Sequence, residues 1–382
     1  MTAPLAGLIV VSLEAAISAP FATRQLADLG ATVIKVERPE GDFARHYDQV
    51  MDGESAFFAW ANRGKQSVRL DVKDPAGRDL LMALVAGCDV FVHNLSPRAA
   101  ASLGIDADRL HAAHPKLIAA EISGYGLDGP RAADKAYDLA IQAEAGVFSV
   151  TGDEQMSKVG FSVADICAGM YLLTSILAAL VRRDRTGEGA AVRVAMLDAL
   201  AEWVSAPLYN AVYGGSQPAR TPRRHHAIAP YGTFTLADGS TVLIAVQSDG
   251  EWCSLAEHLL QEVELGTDPR FATNAARLAN VGELESIIGQ CLARLDPGQA
   301  LDRLQRGRIA VARVNDLRGV WEHEQLRARD RFIEVDSPSG ALQMLAAPFD
   351  ISDWVPQPGR IPALDEHDPA LIQQVRERGT RG

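Results

Sequence analysis

One acidic residue, Asp165, stands in an otherwise apolar and small-residue run between Gly160 and Met170. The apolar residues that follow recur at helical spacing, and arginines precede Gly187, as is typical of a helix C-terminus. The pattern predicts a long buried helix with Asp165 at or near its start, where the helix dipole favours an anion. Because an ionised carboxylate is costly to bury unless it is paired or used, Asp165 is either a helix N-cap or a functional group.

Upstream of this helix, short β-branched apolar runs alternate with helical patterns. The predicted strands are residues 8–13, 32–36, 67–72, 89–93 and 117–122. Strands that alternate with helices predict an α/β fold with a mostly parallel sheet covered on both faces. The first strand is followed by seven residues without glycine, Glu14 to Pro20, so the G-x-G-x-x-G fingerprint of dinucleotide binding is missing there. Nicotinamide chemistry is therefore disfavoured.

The pattern changes after Tyr213, where a Gly- and Pro-containing linker is followed by a predicted hairpin that turns at Asp238-Gly239. We divide the chain into a large α/β domain at residues 1–213, a small domain with its linker at 214–312, and a C-terminal segment at 313–382. The C-terminal segment is expected to return to the large domain.

The net charge of −12 argues against a nucleic-acid or membrane-surface binder, since both functions need a basic face. No apolar run of about 18 residues is free of charged or polar breaks, which argues against a membrane span. The cysteines are far apart, without the spacing of a zinc site or a disulfide framework, so no metal is expected. The start of the chain leads directly into the first strand pattern without signal-peptide features, which favours a cytoplasmic protein.

Several blocks resemble the class III CoA-transferase family, which also contains the α-methylacyl-CoA racemases. The blocks are Pro4–Leu13, Ala19–Thr23, Leu26–Pro39, Asn62–Ser67, Lys135–Asp138, Thr151-Gly152, Ala312–Leu317 and Glu366-His367. The resemblance implies a Rossmann-like large domain built from both chain ends, with a smaller α+β domain inserted, in an interlocked homodimer. It also implies that coenzyme A esters and carboxylic acids are the substrates, with no tightly bound cofactor.

By resemblance, Asp165 matches the family's catalytic aspartate, which carries the acyl group as an anhydride and CoA as a thioester. Such covalent steps divide one difficult exchange into easier ones and need no metal. By the same resemblance, Tyr137 and Asp138 occupy the position at which the racemases have a His-Asp pair. Tyrosine, with a reference pKa of about 10, is a poor base for an α-proton. We therefore favour a transferase over a racemase, with Asp138 as a supporting or acid–base carboxylate, or alternatively as the N-cap of the helix at 139–148.

CoA carries phosphates, so its pocket needs local positive charge. The resemblance assigns Arg38 and Lys135 to CoA contacts. Arg98 stands near the place where some members have a phosphate-binding arginine. Lys65 is a weaker candidate, and Arg63 is expected to be a solvated surface base.

The segment that opens the small domain, Arg223-Arg224-His225-His226, carries basic residues where formyl-CoA transferases have a run of glycines. It resembles members that use C4–C5 dicarboxylates with succinyl-CoA. Arginine and histidine side chains are also suited to binding the second carboxylate of such an acid. The alternative is a basic linker at a domain boundary. An α-methylacyl-CoA racemase and a non-catalytic CoA-binding protein stay open as alternative functions.

Overall fold

The computed structural model of the protein describes residues 2–381. Its backbone divides into two compact units. The first unit contains the chain up to Val147, Lys158–Leu208 and the chain from Gln325 onward, and the second contains Phe148–Ser157 and Tyr209–Glu324. The second unit is wider than the small domain predicted at 214–312, and the assignment of an inserted domain stays a prediction.

The first unit is built on a six-stranded parallel sheet in the order β3-β2-β1-β4-β5-β6. The strands are β1 (Ile9–Leu13), β2 (Thr32–Glu37), β3 (Lys65–Arg69), β4 (Val90–His93), β5 (Ile118–Ser123) and β6 (Ala190–Ala195). The prediction of an α/β fold with a parallel sheet is confirmed. Strand β6 was not predicted, because its alanine-rich sequence has little of the β-branched and aromatic content typical of strands.

The helices follow the strands in alternation along the first part of the chain. In chain order they are α1 (Ser18–Asp28), α2 (Ala56–Asn62), α3 (Pro75–Gly87), α4 (Pro97–Leu103), α5 (Ala107–Ala113), α6 (Asp138–Glu144), α7 (Val147–Val150), α8 (Val163–Thr186), α9 (Met196–Trp203), α10 (Ser205–Tyr213), α11 (Asp249–Leu255), α12 (Asn274–Ala279), α13 (Val281–Leu292), α14 (Pro297–Arg306), α15 (Leu317–Trp321), α16 (Glu324–Ala328) and α17 (Pro369–Arg381). Short 3₁₀ turns lie at Phe43–His46 and Val263–Gly266, and a π turn at Ala256–Leu260.

Alternating strand residues supply two apolar layers, one on each face of the sheet. Val10, Val92 and Ala120 join the layer that α1, α8 and α9 cover. Val11 and Phe91 join the opposite layer, which includes residues of α3, α4, α5 and α17. Both faces are therefore buried, as a parallel sheet requires.

The strand order reverses between β1 and β4. From β1 the chain moves outward through β2 and β3, and then returns to β4 on the other side of β1. The loops that follow β1 and β4 meet at the carboxyl edge of the sheet, where Asn94 Oδ1 accepts from Ala15 N–H at 3.0 Å. In open parallel sheets ligands bind outside the carboxyl ends of the strands at such a reversal.

The C-terminal part of the first unit adds a hairpin and a helix. Strands β10 (Phe332–Ser337) and β11 (Gly340–Leu345) pair antiparallel, and their apolar side packs with Phe58 and Ile361. Helix α17 packs against α3 so closely that a Cβ on Gly87 would lie 1.9 Å from the Val375 carbonyl oxygen.

The second unit contains a three-stranded antiparallel sheet of β7 (Tyr231–Thr235), β8 (Thr241–Ala245) and β9 (Ala310–Arg313). The β7–β8 hairpin turns at Asp238-Gly239 as predicted, with Gly239 at φ +84°. The sheet and helices α11–α14 enclose a core that contains Trp252 and Phe271.

Helix α8 is the central helix of the first unit. By length and composition alone it could cross a membrane, but 56% of its apolar window is buried inside the protein. Its buried residues include Leu172, Leu173 and Ile176, which pack in the same layer as β1 and β5. The helix therefore has the burial of a core helix.

Glycine at position 169 allows α8 and α1 to pack closely. A Cβ built on Gly169 would lie 2.6 Å from the Ser18 carbonyl oxygen and 3.1 Å from the Phe21 ring. Backbone at that distance cannot be displaced by a side-chain rotation, so a larger residue would force the two helices apart. The beginning of α1 is thereby held beside the first turns of α8.

We expect Gly169→Ala to destabilise the fold by about 1–3 kcal/mol, the usual cost of overpacking a close-packed interior. The measurement is the midpoint of denaturant unfolding. Gly289→Ala is the matched control, because Gly289 also lies within a helix but a Cβ there meets no atom within 4 Å. That variant should gain stability from alanine's higher helix propensity. Equal behaviour of the two variants would contradict the packing argument.

Candidate active site

Asp165 is the third residue of α8. The N-cap position belongs to Ser162, whose side chain makes no capping bond to any described residue. The prediction that Asp165 lies near the start of a long helix is confirmed, and the alternative that it is the N-cap is wrong.

Asp138 supplies the cap of α8 from another helix. Its Oδ1 accepts hydrogen bonds from Ala164 N–H at 2.8 Å and from Asp165 N–H at 3.3 Å. Its Oδ2 accepts from Gln142 Nε2 at 2.7 Å. Asp138 is the first residue of α6, with Tyr137 at the N-cap, so the alternative that Asp138 caps its own helix is wrong. The carboxylate that satisfies the free N–H groups of α8 also fixes the backbone of Asp165.

Ser18, at the beginning of α1, acts on the ionisation of Asp165 and lowers its pKa. The Ser18 Oγ accepts from Asn94 Nδ2 at 3.2 Å. Asn94 directly follows β4 and also donates Nδ2–H to the Ala15 carbonyl oxygen at 2.8 Å. The site therefore joins the start of α1, the end of β4 and the first turn of α8.

Burial, and to a smaller extent the negative charge of Asp138, raise the pKa of Asp165 from 3.8 to about 7, while Ser18 acts in the opposite direction. Near neutral pH a large fraction of this carboxyl group is protonated, and the rest is a poorly solvated carboxylate. A carboxyl group shifted this far by burial and a like charge is typical of functional sites.

Two tyrosines lie near Asp165. Tyr137 has 71% of its side chain exposed. Burial raises the pKa of Tyr47, with further contributions from the charges of Asp42, Asp165 and Tyr137. Tyr47 also packs edge-on against Phe57 and in a tilted contact with Phe43. The aromatic cluster around Tyr47 is therefore within the electrostatic influence of Asp165, and sequence patterns did not indicate it.

The three predicted CoA-contacting residues that lie on the surface are Arg38, Lys135 and Arg98. Arg38 follows β2, and its Nε–H donates to the Gly41 carbonyl oxygen at 2.7 Å. Its guanidinium lies 5.5 Å from the centre of the Phe43 ring. Lys135 stands two residues before Tyr137, and Arg98 is the second residue of α4, the helix that follows β4. Each cation is accessible to an anion from solvent.

Lys65 is placed differently. Its Nζ is buried and donates to Glu14 Oε1 at 2.7 Å, Asn62 Oδ1 at 2.9 Å and the Pro20 carbonyl oxygen at 3.0 Å. An ammonium group has three donors, and these contacts use all of them. The prediction that Lys65 contacts a CoA phosphate is therefore corrected: Lys65 has a structural role.

Arg63 is also buried, with its guanidinium 3.0 Å from Asp28 Oδ2, so the prediction of a solvated surface base is wrong. The sequence could not show this pairing, because Asp28 lies far from Arg63 along the chain.

The basic segment at 223–226 lies in the second unit. Arg223 and Arg224 line a pocket of about 540 Å³ there, and Arg224 Nε is 3.6 Å from Glu285. His225 stacks on His226 and Tyr231, and its Nδ1 accepts from Ala227 N–H at 3.1 Å. Burial and the neighbouring His226 lower the pKa of His225, so this imidazole is neutral at neutral pH. The permanent positive charge of the segment belongs to the arginines.

Among residues 2–381, no group of three or more His, Cys, Asp and Glu side chains is placed to hold a metal ion.

Comparison with known proteins identifies the family of this chain. Residues 5–368 match the sequence profile of CoA-transferase family III. The chain belongs to this family. It is 34% identical over 378 residues to the acetyl-CoA:oxalate CoA-transferase of Acetobacter aceti, covering 97% of this chain and 95% of the relative. It is 33% identical to the succinyl-CoA:mesaconate CoA-transferase of Haloarcula hispanica, with 96% and 95% covered. The protein is therefore a class III acyl-CoA:carboxylate CoA-transferase.

Further similarity comes from an enzyme of Agrobacterium fabrum and from a solved structure. The succinate–glutarate CoA-transferase of that bacterium is 34% identical, with 89% of this chain and 87% of the relative covered. A CAIB/BAIF family protein from Brucella suis superposes with a TM-score of 0.87 at 34% identity, covering 98% of this chain and 100% of that one.

The raised pKa of Asp165 predicts a pH-dependent stability. A carboxyl group with a pKa of about 7 in the folded protein and 3.8 in the unfolded chain favours folding while it is protonated. Its contribution is lost as the pH rises from about 4 to about 7. We expect Asp165→Asn to be more stable than the wild type at pH 8, by a few kcal/mol, since each pKa unit corresponds to about 1.4 kcal/mol.

The measurement is the free energy of unfolding at pH 5 and pH 8. The gain should be larger at pH 8. Asp48→Asn is a suitable control, because hydrogen bonds to Ala56 N–H, Val50 N–H and Ser55 lower the pKa of Asp48. A gain for Asp165→Asn that does not depend on pH would contradict the assigned shift.

Proposed function

We propose that this enzyme transfers CoA from an acyl-CoA to a free carboxylic acid through covalent intermediates on Asp165. The observation that carries the proposal is the Asp165 carboxylate at the first turn of α8, with its backbone fixed by Asp138. Burial raises the pKa of this carboxyl group. A more basic carboxylate is a better nucleophile, and in this site it loses little hydration when it attacks.

The reaction begins when an Asp165 oxygen attacks the thioester carbonyl carbon. The carbon–sulfur bond breaks, and CoA leaves as a thiolate from an acyl-aspartyl anhydride. The thiolate attacks Cγ of Asp165, releases the first acid as its carboxylate, and forms an aspartyl-CoA thioester. The acceptor carboxylate attacks the same Cγ and again displaces the thiolate. The thiolate then attacks the acceptor's acyl carbon, which yields the new CoA ester and regenerates Asp165.

Asp138 is assigned to positioning in this mechanism. Both of its oxygens accept hydrogen bonds, from two backbone N–H groups of α8 and from Gln142. These bonds hold the Asp138 carboxylate in place, so that it orients the backbone of Asp165, and its negative charge helps to raise the pKa of Asp165. A racemase needs a base on each face of the α-carbon, and Tyr137 stands where a racemase would have a basic residue. The sequence at this position therefore favours a transferase.

Arg38, Lys135 and Arg98 are proposed to bind the phosphates of CoA. All three are exposed cations of the first unit. Arg38 directly follows β2, and Arg98 lies in α4, the helix that follows β4, on the side of the sheet where parallel α/β folds bind ligands. Their long side chains can reach phosphate oxygens without touching the reacting carbon, so they contribute binding energy remote from the chemistry.

The proposed substrates are small dicarboxylic acids and their CoA esters, with succinyl-CoA as the donor. The relatives described above are named for oxalate, glutarate, succinate and mesaconate, all of which carry two carboxylates. We assign recognition of the second carboxylate to the segment Arg223-Arg224-His225-His226. Within it Arg223 is the strongest candidate, because Arg224 lies near Glu285 and His225 is neutral. An interlocked homodimer is part of the proposal and rests on the family alone.

We expect Asp165→Ala to abolish CoA transfer while the protein stays folded and binds CoA. Loss of a covalent nucleophile removes several orders of magnitude in rate. The measurement is mass spectrometry of CoA products after succinyl-CoA is incubated with oxalate, glutarate or mesaconate. A transferase moves CoA to the free acid. A racemase exchanges the α-proton of a 2-methylacyl-CoA with solvent, and a CoA-binding protein does neither. Turnover near the wild-type value in folded Asp165→Ala would refute the mechanism.

The dicarboxylate assignment predicts a selective effect of Arg223→Ala. A charge-assisted contact to a carboxylate contributes about 1.5–3 kcal/mol, which corresponds to a roughly ten- to hundred-fold preference. We expect kcat/KM to fall by this factor for succinyl-CoA and to change little for butyryl-CoA, which has the same length without the second charge.

Arg306→Ala is the control for Arg223→Ala, because Arg306 is an exposed arginine of the same unit that pairs with Asp302. Its substitution should leave both esters unaffected. Equal losses on the two esters in Arg223→Ala would remove the residue from acid recognition. A wild-type preference for butyryl-CoA would remove the dicarboxylate assignment and leave the CoA-transferase assignment intact.

A further inference from the structure

The first turn of α8 depends on two acceptors for its free N–H groups. The residue at its N-cap makes no side-chain capping bond to any described residue. The N–H groups of Ala164 and Asp165 donate to Asp138 Oδ1, at 2.8 and 3.3 Å. The N–H of Val163 donates to the Phe161 carbonyl oxygen at 2.8 Å. One carboxylate from α6 and one backbone carbonyl therefore satisfy this turn.

Gln142 contacts both of these acceptors. It lies one turn after Asp138 on α6, and only 1% of the residue is exposed. Its Nε2 donates to Asp138 Oδ2 at 2.7 Å and to the Phe161 carbonyl oxygen at 3.3 Å. Its Oε1 accepts from the Val159 N–H at 2.9 Å. A buried amide is costly unless its groups are paired, and here its oxygen and its nitrogen both have partners.

The partners of Gln142 allow one orientation of its amide group. The Val159 N–H is a donor, so it can contact only the amide oxygen. The Phe161 carbonyl oxygen is an acceptor, so it can contact only the amide nitrogen. A reversed amide would place its oxygen against two acceptors and its nitrogen against a donor. The Nε2–H group is therefore directed at Asp138.

We propose that Gln142 is a positioning residue for CoA transfer, which acts through Asp138 on Asp165. The inference rests on the proposed role of Asp165 as the nucleophile. Asp138 Oδ1 holds the Asp165 N–H, and Gln142 holds the other oxygen of Asp138 together with the segment that leads into α8. Without this amide, the carboxylate can turn away from α8, and the first turn that carries Asp165 loses its fixed position.

The position of the first turn matters because attack on a thioester needs the carboxylate and the carbonyl carbon in close register. A misplacement of about 1 Å can reduce a rate by roughly a hundredfold. Gln142 is buried, and none of the described hydrogen bonds joins it to the proposed CoA-binding residues Arg38, Lys135 and Arg98. Its loss should therefore reduce kcat and leave the KM for succinyl-CoA nearly unchanged.

The first experiment measures the start of α8 without a substrate. Amide hydrogen exchange of Ala164 and Asp165 is followed in the wild type and in Gln142→Met, which keeps the length of the side chain and removes its polar groups. We expect exchange at these two positions to become roughly ten- to hundredfold faster, the equivalent of one hydrogen bond to a charged group.

Gln25→Met is the matched control. Gln25 is 2% exposed on α1, and its Nε2 donates to the Phe21 carbonyl oxygen at 3.3 Å and lies 3.4 Å from Met170 Sδ on α8. This variant also removes a buried amide that contacts α8, but none of the described hydrogen bonds joins Gln25 to Asp138. It should leave exchange at the first turn and kcat unchanged. Circular dichroism and the unfolding midpoint establish that each variant is folded.

The second experiment tests whether Gln142 acts through Asp138. We expect kcat for transfer from succinyl-CoA to fall by roughly ten- to hundredfold in Gln142→Met. In an Asp138→Ala background the same substitution should have little further effect, because residues that act as one unit are not additive. If Gln142→Met does not fold, Gln142→Asn serves instead, since its amide is one methylene too short to keep both contacts.

Unchanged exchange at Ala164 and Asp165 in the folded Gln142 variant overturns the inference. So does an unchanged kcat, or a loss that is fully additive with Asp138→Ala. The exchange result does not depend on what Asp165 does in the reaction. Faster exchange together with normal turnover in folded Asp165→Ala overturns the proposed function instead, and with it the role of Gln142 in catalysis.

Discussion

The close packing of α8 against α1 is the constraint on which the candidate site depends. Gly169 lets the backbone of α8 approach the carbonyl oxygen of Ser18. Asp165 lies four residues earlier, about one turn, so its carboxylate is brought beside the Ser18 side chain. The same packing buries the apolar face of α8 against the sheet. Stability and site geometry therefore depend on one contact between two helices.

The buried carboxylates of the first unit differ in their partners, and this difference separates structural from functional groups. Arg45 and Lys35 hold the pKa of Glu37 at about 2, despite its burial. Glu14 contacts Lys65, and Asp28 contacts Arg24 and Arg63. Asp165 instead faces another carboxylate, and burial raises its pKa to about 7. An ion pair stabilises a charge and makes it unreactive, and the absence of a cation from the described contacts of Asp165 is consistent with its proposed role as the nucleophile.

Most strands of the parallel sheet could be predicted from periodicity, and the strands that were predicted inaccurately or not at all have physical causes. Strands β1, β2, β4 and β5 lie within a residue or two of the predicted ranges because both faces of a parallel strand are apolar. Strand β3 begins at Lys65, two residues before its predicted start, because a buried ion network accepts a lysine there. Strand β9 consists of Ala310–Arg313 and has no apolar periodicity, so it was not predicted.

The sequence by itself determined the α/β class, the long helix that begins near Asp165, and the membership of a CoA-transferase family, because these depend on local patterns and contiguous motifs. Only the tertiary structure decided that Asp138 caps α8 instead of its own helix, that Lys65 and Arg63 are buried in ion pairs, and that Asn94 donates to Ser18. These contacts join residues far apart along the chain. Which buried polar groups become partners depends on how the helices pack on the sheet, and local periodicity carries no information about that packing.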